Sequence, residues 1–200
     1  MRLFDFLFPP RVDEITLRDI SSDDFLALVT PRLILETRPE TVALLPFHDP
    51  RVRATIHEAK YHGSVQAFTF LGKALVEYLR DADDIRKPIL VPIPLSKGRR
   101  AERGFNQIEE IMKFTAKEIR ITIDTAFLER SRETASQVSL PRHAREENMR
   151  GAFATTRRAD TSHTYIVIDD VITTGATLQA AIEALKEAGA EHIVPLALAH

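Results

Sequence analysis

The sequence predicts an α/β protein with a mostly parallel sheet flanked by helices and an amino-terminal appendage. Three observations lead there. From about Asp49 onward, short apolar runs alternate with segments of helical spacing, the pattern that right-handed crossovers between parallel strands produce. The run Tyr165-Ile166-Val167-Ile168 lacks the polar alternation of a half-exposed strand and reads as buried on both faces. Residues 1–50 differ in texture, because Pro9, Pro10, Pro31, Pro39, Pro46 and Pro50 break them into short hydrophobic pieces. The expected division is an appendage over 1–50 and a main domain over 51–200.

Within the appendage, Ser21-Ser22-Asp23-Asp24 is a cap for a short helix through Leu28. Leu33-Ile34-Leu35 and Val42-Ala43-Leu44-Leu45 read as short strands or loop anchors. In the main domain, Phe68, Leu71, Leu75 and Leu79 share one helical face. Ile89-Leu90-Val91-Pro92 is a short buried strand, and Ile108, Ile111, Met112, Thr115 and Ile119 return to helical spacing. Leu178, Ala181, Ile182 and Leu185 mark a last helix that Gly189 closes. A final strand covers Ile193 to Leu198.

Composition excludes several classes. With 27 basic and 29 acidic residues the formal charge is −2, so no global field draws the chain to nucleic acid or membrane. Any anion site must be local. The chain has no cysteine, which removes disulfides, thiolate-bound zinc and thiol catalysis. Leu3-Phe4-Asp5-Phe6-Leu7-Phe8 is too short, and broken by an acid, to read as a signal peptide or a membrane span. A soluble, cytoplasmic protein is expected.

The stretch after the buried strand carries the chemistry. Asp169 and Asp170 follow it directly, then Val171-Ile172, then Thr173-Thr174-Gly175-Ala176-Thr177 opening a helix. In an open α/β sheet, ligands bind at such a strand-to-helix junction. The helix start offers unpaired N–H groups and partial positive charge, Gly175 allows close backbone approach, and the threonines add hydroxyl donors. That turn suits a phosphate. The two carboxylates suit ribose hydroxyls or magnesium. No Gly-Lys-Ser/Thr and no strand-borne G-x-G-x-x-G occurs, so neither a Walker loop nor a dinucleotide fingerprint is present.

Two further stretches are polar in a patterned way. Pro94 to Gln107 follows the 89–92 strand and holds Ser96, Lys97, Arg99, Arg100 and Arg103. Its position favours a multiply charged anion such as diphosphate, which arginine grips with two N–H groups at once. A solvated charge run and a nucleic-acid contact are the competing readings. Residues 130–145 include Arg132, Thr134, Ser136 and Gln137. They read equally as a lid or as a plain surface loop.

Taken in order, several strings resemble the ComF/GntX family, a branch of the type I phosphoribosyltransferases linked to competence for DNA uptake. They are Lys60-Tyr61-His62-Gly63, Pro92-Ile93-Pro94-Leu95, Arg103-Gly104-Phe105-Asn106-Gln107, the Arg132 to Phe153 stretch and the acidic motif. The resemblance implies a type I phosphoribosyltransferase-like fold and phosphoribosyl diphosphate (PRPP) as ligand. Thr173, Thr174, Gly175, Ala176 and Thr177 would hold the 5-phosphate, and Asp169 and Asp170 the ribose and, through it or through water, Mg2+. Ser96, Lys97, Arg99, Arg100 and Arg103 would face the diphosphate, and Arg132, Thr134, Ser136 and Gln137 would form the lid. A nitrogen acceptor would then displace diphosphate. The chain departs from the family at its start, where Leu7-Phe8-Pro9-Pro10 is present but the paired cysteines are absent. His48, His57 and His62 cannot complete a tetrahedral site without further donors, so no zinc is expected. A non-catalytic ribose-phosphate regulator and a competence-related protein acting on single-stranded DNA remain as alternatives. A homodimer is compatible with the sequence but not specified by it. The acceptor is not legible.

Overall fold

A computed structural model describes residues 11–82, 85–132 and 142–200. Two short helices come first, α1 (Val12–Asp19) and α2 (Ser22–Leu26), the second capped by Ser21, whose hydroxyl accepts from Asp24 N. Strands β1 (Arg32–Ile34) and β2 (Thr41–Leu45) follow, then helices α3 (Pro50–His62) and α4 (Val65–Arg80). Strand β3 (Pro88–Pro92) leads through α5 (Lys97–Arg103) and α6 (Gln107–Ile119) to β4 (Thr122–Ile123). Next are β5 (Leu128–Arg130), α7 (Arg142–Met149) and β6 (Phe153–Thr155), then β7 (Thr164–Val171), α8 (Ala176–Glu187) and β8 (His192–Ala199).

Six strands form one sheet in the order β1-β2-β8-β7-β3-β4, and β5 and β6 form a separate antiparallel pair. Every neighbouring pair of the large sheet is parallel except β1 with β2. This is the expected mixed α/β architecture with a mostly parallel sheet. Strand β7 is central and buried on both faces, which explains its missing alternation. Ile166 and Ile168 pack under Leu71, Leu75, Ile111 and Met112 on one side. Tyr165 and Val167 pack under Leu178, Ile182 and Phe127 on the other.

The structure differs from the sequence reading in four places. Residues 32–45, assigned to the appendage, supply two strands of the central sheet, with β2 parallel to β8. Leu44 and Leu45 of that strand are core residues, so the prolines around it terminate a sheet strand instead of isolating a module. Helix α3 was not foreseen. Its signals are present, with Asp49 accepting from Arg51 N, Pro50 in the first turn and Gly63 closing it at φ +60. The buried Thr55 and Glu58 among Val52, Ile56 and Ala59 blur its apolar stripe. The basic stretch is partly helical, as α5, between the Ser96 cap and Gly104 at φ +77. Finally, β7 runs on through both acids to Val171, because β8 pairs Asp169 with Ala197 and Val171 with Ala199.

Candidate active site at the carboxyl edge of the sheet

Chain direction creates the site. From β7 the connection through α8 runs to β8 on one side, and from β3 the connection through α6 runs to β4 on the other. The crossovers diverge between β3 and β7, leaving a crevice beyond the carboxyl ends of these two strands, which is where open α/β sheets take ligands. A cavity of about 620 Å³ occupies it.

The acidic pair forms its floor. Asp169 Oδ1 accepts from Asp170 N at 2.8 Å, and Asp170 Oδ1 accepts from Val171 N at 2.7 Å. Asp170 Oδ2 accepts from Gln107 Nε2 at 2.5 Å and sits 2.9 Å from Lys60 Nζ. Asp170 is thus anchored by three contacts. Among the described residues no cation contacts Asp169, and burial, followed by the negative charge of Asp170, pushes its carboxyl up to about 7. The Asp170 N–H, Lys60 and Arg99 pull it in the other direction.

On the α8 side, Thr173 and Thr177 line the same cavity. The turn through Thr174, Gly175 and Ala176 encloses a small hollow of about 20 Å³ shared with Asp169. Gly175 caps α8 at φ +74, a conformation suited to glycine. A Cβ there would lie 2.9 Å from Thr37 Cγ2 and 3.0 Å from Glu36 Cβ. Close approach of the chain's own 36–37 turn is therefore a second reason for this glycine, besides the ligand approach expected from sequence.

The basic stretch divides. Ser96, Arg99 and Arg103 line the cavity, whereas Arg100 turns to Glu109 at 3.1 Å and lies outside the lining, as does Lys97. Arg103 lies over the Tyr61 ring at 4.9 Å and donates to Gln107 Oε1 at 3.2 Å. Its Nε is buried and, among the described residues, has no hydrogen-bond partner. An orphaned guanidinium N–H beside a polar cavity fits an anion that would complete its bonding.

The string Arg103 to Gln107 now has a role at each position. Gly104 ends α5, and Phe105 packs edge-to-face on Phe68 at 5.8 Å. Asn106 caps α6 through Ile108 N and donates to Ile93 O at 3.0 Å, tying the loop after β3 to the helix. Gln107 bridges Arg103 and Asp170.

Of the lid residues, Arg132 donates to Asn148 O and Arg150 O at 2.9 and 2.8 Å, fastening the base of the loop to the end of α7. Thr134, Ser136 and Gln137 lie outside the described residues. Lys60, Gln107 and Phe47 carry no individual site role in the sequence analysis, yet all three line the cavity, as does Arg130 at the start of the candidate lid. Lys60 and Gln107 stood in the quoted strings, yet nothing local shows that either reaches Asp170.

Residues 110–199, which hold the acidic pair and the hydroxyl-rich turn, match the phosphoribosyl transferase domain. Among curated proteins the chain is similar to DNA utilization and competence proteins. It is 28% identical over 145 residues to the DNA utilization protein YhgH of Escherichia coli (strain K12), covering 70% of this chain and 63% of that one. It is 30% identical over 106 residues to competence protein F of Haemophilus influenzae, covering 52% and 46%. The matches span less than two thirds of the length of these curated relatives. Adenine phosphoribosyltransferase from Leishmania tarentolae overlaps 88% of this chain and 72% of its own length, at 16% identity and a TM-score of 0.40. Among the described residues, no helix is long and apolar enough to cross a membrane.

Proposed function

We propose that this protein binds PRPP with Mg2+ and transfers its phosphoribosyl group to a nitrogen acceptor, releasing diphosphate. The observation that carries this reading is the single cavity joining Asp169 and Asp170, Thr173 and Thr177, and Arg99 and Arg103. Acceptors suited to ribose hydroxyls, donors suited to a 5-phosphate and cations suited to a diphosphate thus line one cavity. Two adjacent carboxylates supply the hard oxygen ligands that Mg2+ requires, reached through ribose hydroxyls or water. When bound, the ion neutralises charge on the diphosphate.

In the reaction, the nitrogen lone pair forms a bond to the anomeric carbon. The carbon–oxygen bond to diphosphate breaks with its electron pair on the leaving group, and the surplus nitrogen proton passes to water. Asp169 and Asp170 orient the ribose, and Arg99 and Arg103 stabilise charge growing on the leaving oxygens.

The names of the relatives point toward DNA, but the site favours the small ligand. Phe105 packs edge-to-face on Phe68, and Arg100 is paired with Glu109, so neither stands free for a nucleic-acid strand. Calorimetry with PRPP, ribose 5-phosphate and diphosphate, each with and without Mg2+, tests binding. Magnesium-dependent PRPP binding that exceeds that of either fragment supports the reading, and equal affinity with and without Mg2+ overturns it. Diphosphate release across a panel of nitrogen acceptors separates an enzyme from a binder.

A further inference from the structure

The carboxyl end of α3 presents two working faces. Lys60 reaches into the cavity toward Asp170, while His57 and Glu58 contact the segment around α1. On that second face one donor atom from each of His57, Glu58 and His62 lies within 4.8 Å of the other two. Glu58 and His62 are one turn apart on the helix, with His62 Nε2 3.9 Å from Glu58 Oε1. The His57 and His62 rings are 5.8 Å apart.

Bonds of about 2.0–2.1 Å to a four-coordinate ion hold the donors roughly 3.3 Å apart. Side-chain rotations that draw the three donors together by about 1.5 Å therefore close the site. Both imidazoles have room to turn, because their side chains are 49% and 31% exposed. Glu58 is only 2% exposed and needs no search to be in place. Arg11 bonds both its oxygens, at 3.0 and 2.8 Å, but a carboxylate offers about four lone-pair positions and retains room for a metal. Asp13 Oδ2 lies 2.8 Å from His57 Nδ1. A carboxylate behind an imidazole is the usual device that orients a metal-bound histidine and raises its basicity.

We infer that His57, Glu58 and His62, with Asp13 behind His57, bind one divalent transition-metal ion of the zinc or cobalt type. Two nitrogens and a carboxylate favour such an ion over magnesium or calcium, so this site is separate from the one in the cavity. It uses Glu58 as the further donor beside His57 and His62, with Asp13 orienting His57. The bound ion is held on α3, the helix that carries Lys60, and is linked to α1 through the Asp13–His57 contact; the inference stands whether or not the protein turns over PRPP.

The test uses the full chain, freed of metal by a chelator and titrated with Co2+ while its visible absorption is followed. The expected result is one equivalent of cobalt with a saturable spectrum, displaced by Zn2+ and unaffected by excess Mg2+. Asp13→Asn should weaken cobalt binding about 10–100-fold. His57→Ala with His62→Ala should abolish the spectrum, and because both side chains are exposed the far-ultraviolet circular dichroism should not change. The absence of a saturable spectrum, or a spectrum that survives in the double variant, overturns the inference.

Discussion

Replacing Asp169 by Asn should stabilise the ligand-free protein at alkaline pH while destroying its ligand site. The carboxyl of Asp169 is raised from 3.8 to about 7, by burial first and then by Asp170. Below pH 3.8 the folded and unfolded chains both hold the proton, and this residue costs nothing. Between 3.8 and about 7 the unfolded chain ionises while the folded one keeps its proton, so stability falls as pH rises. Above 7 the cost is complete. At 1.36 kcal/mol for each pH interval, the gap from 3.8 to about 7 amounts to about 4 kcal/mol. Asn keeps the oxygen that accepts from Asp170 N and carries no charge. Urea unfolding should therefore find Asp169→Asn more stable than the parent by about 4 kcal/mol at pH 8, by about 2 at pH 5, and equal below about pH 4. An exchange of stability for ligand binding is the usual signature of a functional charge. A variant no more stable than the parent at pH 8, or a gain that does not shrink toward pH 5, would refute the reasoning. The same sign applies to the ligand: if Asp169 must be ionised to receive ribose and Mg2+, PRPP affinity should rise between pH 6 and pH 8 and level off above.

Three other outcomes can be checked. Arg99→Ala with Arg103→Ala should weaken PRPP binding roughly 100-fold or more, taking about 1.5–3 kcal/mol for each charge-assisted bond, yet change ribose 5-phosphate binding only slightly; equal losses in calorimetry would remove these residues from the diphosphate. Gly175→Val should cost about 2–5 kcal/mol in urea unfolding, from the strained φ of +74 and from contact with Thr37 and Glu36. Asn106→Ala loses both the cap on Ile108 N and the tie to Ile93 O; it should cost about 1–2 kcal/mol and lower PRPP affinity, and an unchanged unfolding curve would show that the tie is idle.

The sequence by itself determined what depends on neighbours along the chain. Strand β7, the acid pair at its end, the threonine-glycine turn and the stripes of α4, α6 and α8 were all legible, because periodicity and capping are local. So was the parallel sheet, since alternating strands and helices allow few other connections. Tertiary structure decided which side chains meet. Lys60 and Gln107 converge on Asp170 only because β3 and β7 are neighbours with diverging crossovers and α3 and α6 pack on one face of the sheet. Arg99 and Arg103 face the cavity and Arg100 does not, because one turn of α5 directs it to Glu109. Gly175 is crowded by Glu36 and Thr37 from the far edge of the sheet. Arg11 meets Glu58 and Asp13 meets His57 because α1 folds back on α3. Such contacts join residues far apart in the chain, and no local pattern encodes them: their free energy is gained only once the sheet has brought the partners together.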